Sequence, residues 1–111
     1  MTTTSVTYDL NALADKHLAA ARSAAHGRSA HLLLREEPLR QSVIALTAGS
    51  ALEEHNAPPA ATLQVLRGEV VLTAVSGDVT LKAGRLHAIP QERHGLRAVT
   101  DAAVLLTAVN D

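Results

Sequence analysis

The pattern of apolar and polar positions changes period once along the chain, at Gly27. Ahead of it, "DLNALADKHLAAARSAAH" places Leu10, Leu13, Ala14, Leu18, Ala21 and Ala25 at three- and four-residue intervals, the recurrence that lines one face of an α-helix. Asp9 is a favoured N-cap residue and Gly27 a favoured residue just past a helix end, so the pattern predicts one helix from Asp9 to His26. Its stripe is thin and alanine-rich, and such a helix needs a surface to pack against. His26, at the end, is placed to interact favourably with the helix dipole when protonated. His17 has only Ala20 and Ala21 one turn further on, and reads as an exposed or half-buried helix residue rather than a ligand.

Beyond Gly27 the period shortens. The runs "SAHLLL", "QSVIAL", "TLQVL", "EVVLTAV", "DVTL", "LHAIP", "GLRAV" and "AAVLLTAV" are punctuated by "TAGS", "APPA", "RGE", "SGD", "KAG", "PQER" and "TDA". Each break offers Gly, Pro, Asp or Ser where the chain must reverse. Eight closely spaced strand candidates predict an all-β barrel or sandwich. The organisation expected is a helical arm over 1–27 and a barrel domain over 28–111.

Composition narrows the function classes. At 111 residues the chain is one domain's worth, and 47% of it is hydrophobic, yet it has no Phe, no Trp and only Tyr8, so the core must be built from Leu, Val, Ile and Ala. No platform exists for stacking bases, and ten basic residues against eleven acidic ones without a basic run leave no phosphate-binding stripe. Nucleic acid is not an expected partner. The absence of cysteine removes disulfides, thiolate nucleophiles and Cys-type zinc sites, and leaves His and carboxylates as the only metal ligands. "MTTTSVTYDL" lacks a signal-peptide pattern, and no apolar run approaches the roughly 18 residues of a membrane span; the expectation is an unexported cytoplasmic protein with no membrane partner. "TAGSA" around Ser50 is not a nucleophile elbow, and neither a dinucleotide fingerprint nor a Walker loop occurs. Arg40 and Gln41 open a strand, Arg40 with a surface ion pair as its expected role.

Two spaced motifs carry a family resemblance. Gly49, His55 and Gly68 stand in the order and at the separations of the first cupin motif, Gly84, Pro90 and His94 follow the second, and Val65-Leu66-Arg67-Gly68-Glu69 matches the family's common strand and turn. The chain therefore resembles a small single-domain, RmlC-like cupin. The resemblance implies an all-β, cupin-type double-stranded β-helix (a jelly-roll barrel) with a short N-terminal α-helix. It also implies that His55 and His94 face each other in the barrel mouth.

The departures are as informative. Ala57 and Ala61 stand where the family has its second His and its Glu, and Glu92 stands where it has a glycine. Two of the usual four metal ligands remain, and two imidazoles alone hold a metal poorly. If "LEEH" is extended, Glu53 shares a face with His55 and could supply a carboxylate; in "LHAIP", His87 could supply a third imidazole. The first expectation is a small-molecule-binding cupin, its ligand pocket formed by His55, His94 and His87, with no complete metal centre and no cofactor. It is expected as a homodimer whose helix or first strand packs on the partner. One rival is a metal-dependent oxygenase or isomerase holding zinc, nickel or iron on His55, His94 and either His87 or Glu53. The other is a non-catalytic sensing or scaffolding module. Two close imidazolium cations repel, so at least one ring is expected neutral near pH 7, with acidic or accepting ligands favoured as pH falls. No residue is assigned a catalytic role.

Overall fold

Asp9 starts the helix as expected. In the structure, a computed structural model that describes residues 5–110, α1 (Leu10–Ser23) opens with the Asp9 carboxylate accepting the Ala12 amide at 3.1 Å. The helix stops earlier than predicted. Ala24 is already extended, and the Gly27 amide donates to Ala24 O across a turn. His26 therefore lies exposed beyond the helix, and Arg22 is the basic residue of its last turn. Gly27, at φ 67°, is needed for close approach as well as for its left-handed backbone: a Cβ there would collide with the hydroxyls of Thr47 and Ser50.

Nine strands follow rather than eight: β1 (Arg28–Glu36), β2 (Leu39–Leu46), β3 (Ala51–His55), β4 (Ala60–Arg67), β5 (Glu69–Ala74), β6 (Val79–Lys82), β7 (Leu86–Ala88), β8 (His94–Ala98) and β9 (Ala102–Val109). The additional one is β3. Its sequence, "ALEEH", has no apolar alternation and four of its five residues are exposed, so it has no periodicity signal of its own and is ordered by pairing with β8. The strands form two antiparallel sheets, β1-β2-β9-β4-β7 and β3-β8-β5-β6, closed face to face as a jelly-roll barrel. Between them Ile44, Leu46, Leu63, Val65, Val70, Leu72, Leu81, Leu96 and Val104 make one aliphatic core. The alternation along β2 decides what each face meets: Ile44 and Leu46 point into the barrel, while Val43 and Ala45 face outward and are nonetheless fully buried.

The helix explains the burial of Ala45. Ala14, Leu18 and Ala21 pack on Ala45 and Ala103 with Leu66 beside them, and small side chains on both surfaces let the backbones come close. The thin stripe is thus covered by the chain's own barrel. Polar ties hold the ends: Arg22 to Asp101 at 2.9 Å, and Arg67 to Asn11 at 3.0 Å and Asp15 at 3.7 Å. Asp101 also accepts the Ala48 amide, and this bond, with Arg22, holds its carboxyl below the usual range. No described helix is long and apolar enough to cross a membrane.

His17 departs from expectation. Only 8% of it is exposed, because it lies on the helix face that meets β1. Its Nδ1 is 2.8 Å from Ser29 Oγ, its ring centroid is 5.6 Å from that of His31, and its Nε2 is buried without a hydrogen-bond partner. Desolvation first, then the nearby charges of His31 and Lys16, lower its pKa below the ordinary 6.5. The unfolded chain then takes up the proton first, so this contribution is complete above about pH 6.5 and is lost as pH falls through the lowered folded value. Urea unfolding at about pH 8 and about pH 5.5 should show a lower midpoint at the acid pH, and His17→Leu should shrink that difference. An undiminished difference in His17→Leu would show that other groups cause it.

Candidate functional site

The site is made by a mismatch of register between β3 and β8. Leu52 pairs with Leu96 and His55 with His94, so β3 spends three residues where β8 spends two. That extra residue is a β-bulge, and it reverses the two-residue rule of side-chain direction. Leu52 and His55 consequently both face the interior, where they line one cavity. Gly95, between His94 and Leu96, permits the close approach: a Cβ on it would lie 3.0 Å from both Leu52 O and Thr73 Oγ1.

The two imidazoles meet edge to face, with ring centroids 4.4 Å apart and planes inclined at 63°. His94 is buried and His55 is at the exposed rim. Each ring is tied to a carbonyl two residues back on its own strand, His55 Nδ1 to Glu53 O at 3.1 Å and His94 Nδ1 to Glu92 O at 3.0 Å. A carbonyl only accepts, so Nδ1 carries the hydrogen in both rings. In the neutral rings Nε2 is left as a bare acceptor.

Below the pair lies a cavity of about 30 Å³ walled by Ile44, Leu52, Leu63, Leu72, Ile89, Leu96 and Leu106. It has room for a water or two. The histidines bring its only polar side chains. Loops brace the rim: the Gln91 amide donates to Pro59 O, the Glu92 carboxylate accepts the Ser76 amide and hydroxyl, and Arg93 pairs with Glu54 at 3.4 Å. The Ser76 bonds chiefly, with a smaller attraction to His94, hold the Glu92 carboxyl below its usual value.

The remaining sequence candidates stand apart from the pair. β3 is extended, but its bulge leaves Glu53 exposed and away from the cavity wall, and Glu54 lies on the outer side beside Gly95. His87 is half-buried on β7 opposite Leu63 and is not part of the wall. Ala61 packs on the aliphatic core. Among the described residues no three His, Asp or Glu side chains gather closely enough to hold a metal ion. The donor set is therefore two imidazoles where zinc sites use at least three protein ligands, and it does not fit a tightly held metal. The ring orientation does match metal-binding histidines, whose second nitrogen is commonly tied to a carbonyl or carboxylate.

The tie itself leaves no mark in the sequence, since every residue carries a main-chain carbonyl. In both Glu53-Glu54-His55 and Glu92-Arg93-His94 the acceptor is the main-chain carbonyl two residues back, not the glutamate side chain. A larger hollow of about 430 Å³ lies outside the barrel, lined by the segment before α1, Leu33, Leu34, Gln41 and Leu105. Two of its polar side chains are already engaged: the Tyr8 hydroxyl donates to Leu33 O and the Gln41 amide to Thr107 Oγ1. The barrel cavity, with two free acceptors, is the better candidate.

No protein-family model matches the sequence, and no curated protein does. Solved structures match it in fold. An RmlC-like cupin from Desulfovibrio desulfuricans is 26% identical with a TM-score of 0.67, covering 74% of this chain and 81% of that one. A cupin superfamily protein from Desulfitobacterium hafniense is 16% identical with a TM-score of 0.71, covering 76% and 78%. A salicylate 1,2-dioxygenase from Pseudaminobacter salicylatoxidans is 17% identical with a TM-score of 0.76, covering 88% of this chain but 33% of the other.

The backbone ties make a spectroscopic prediction. Long-range ¹H–¹⁵N spectra at neutral to mildly alkaline pH should show both rings in the Nδ1–H form; an Nε2–H signal from either ring would contradict this assignment.

Proposed function

With the cupin fold as premise, we propose that this chain is a small-molecule-binding protein whose ligand rests on His55 and His94 without a complete metal centre. The observation that carries the reading is the pair itself: two oriented acceptors, ring centroids 4.4 Å apart, over an aliphatic cavity with no third ligating side chain. The cavity volume of about 30 Å³ admits a head group of a few atoms, so the body of the ligand would occupy the mouth. Fold alone assigns no reaction.

The metal-dependent enzyme keeps one observation in its favour, the carbonyl ties that orient both rings as metal-binding histidines are oriented. Elemental analysis of protein purified without added metal separates the two. The proposal expects well under one zinc, nickel or iron per chain, and a thermal-shift screen should find small molecules whose stabilisation is lost in His55→Ala. One metal per chain, lost in His55→Ala, would falsify the proposal and favour the enzyme reading.

A homodimer is part of the same proposal. β1 ends the five-stranded sheet with one edge unpaired among the described strands, and Leu32 on it is 47% exposed. Edge strands of this length invite a second strand. Sedimentation at tens of micromolar should show a dimer, as an interface of about 1,600 Å² would hold there; a monomer at that concentration would refute it.

A further inference from the structure

We infer that the group this pair recognises is a small primary ammonium, the protonated end of an alkylamine, with its aliphatic remainder directed to the barrel mouth. The inference rests on the ligand-binding reading above and adds the chemical class. It begins from what the pocket lacks. Both Nδ1–H donors are spent on Glu53 O and Glu92 O, and the rest of the wall is aliphatic apart from the Gly95 backbone. A carboxylate entering between neutral rings would find no side-chain donor, and an unsatisfied buried anion is costly. An ammonium has three N–H donors, and two of them match the two free Nε2 acceptors.

Charge around the rim points the same way. Glu53 and Glu54 precede His55, Glu92 precedes His94, and Arg93 is the one cation among them, already paired with Glu54 at 3.4 Å. The Glu92 carboxylate is held over the β5–β6 turn by Ser76, so a carboxylate stays close to His94 with no basic side chain bonded to it in the described contacts. A cation is thereby favoured at the mouth and an anion repelled. Size completes the selection. About 30 Å³ accepts a –NH₃⁺ head and excludes a ring, which leaves the alkyl remainder at the mouth.

The test is an NMR titration of the full chain with n-butylammonium, butyrate, butan-1-ol and zinc ion in parallel, at a mildly alkaline pH. Butylammonium should shift the His55 and His94 ring signals saturably, and butyrate should not. His55→Phe should weaken butylammonium binding about tenfold, as loss of one charge-assisted bond would. Glu53→Gln, which leaves the backbone tie and the core untouched, should weaken it about threefold. If butyrate or butanol saturates the pair and butylammonium does not, the ammonium class is wrong while the pocket remains a ligand site. If zinc alone saturates it tightly, or nothing does, both the class and the underlying reading fail.

Discussion

One residue too many in β3 sets the geometry on which the candidate site depends. A regular strand paired with β8 through Leu52 and Leu96 would turn His55 outward, since side chains alternate. The bulge between Leu52 and His55 returns His55 to the interior opposite His94, and in doing so it takes His55 off the face it would otherwise share with Glu53. Gly95 is what lets β3 lie close enough for this. The proximity of the two rings and the absence of a neighbouring carboxylate thus have a common cause in backbone register.

The remainder of the fold holds that register without aromatic side chains. Two sheets of aliphatic residues close on each other, and the helix covers the outer face of the five-stranded sheet through contacts of alanine on alanine with Leu18 and Leu66. Small contacts contribute little per residue, so the polar ties at the helix ends matter for register more than for energy: exposed pairs of this kind are worth about 0–1 kcal/mol each. His17 is the exception in this seam. It brings a polar ring into an alanine interface, satisfies one nitrogen with Ser29 and leaves the other unpaired, which makes the docking of α1 sensitive to acid.

Much of the fold was legible in the sequence because apolar runs and turn residues are local signals. Asp9 announced the helix start, the eight apolar runs all became strands, and the spaced Gly, His and Pro residues marked the barrel. What escaped was set by tertiary context. β3 has no apolar alternation to reveal it, and its bulge cannot be inferred from "ALEEH", so the same-face argument for Glu53 failed on parity. Gly27 marked the close approach of the chain entering β1 to Thr47 and Ser50 more than the helix end. The burial of His17 depended on Ser29, twelve residues away along the chain and on a different element. The pairing of His55 with His94 came from the family resemblance; their local sequence alone would not have brought them together.

Chemically, the structure keeps the orientation of a metal-binding pair and lacks its donor set. Tied Nδ1 atoms fix each ring, Ala61 places a methyl in the aliphatic core, and neither Glu53 nor His87 closes the gap. Two acceptors over an aliphatic cavity remain, facing a rim that carries more carboxylate than guanidinium. A crystal structure with diffraction recorded across the zinc, nickel and iron absorption edges, from protein purified without added metal, tests this most directly. The account predicts the two rings in contact with any density beside them free of an anomalous peak. An anomalous peak about 2.0–2.2 Å from both Nε2 atoms, with His87 or Glu53 swung in as a third ligand, would contradict it.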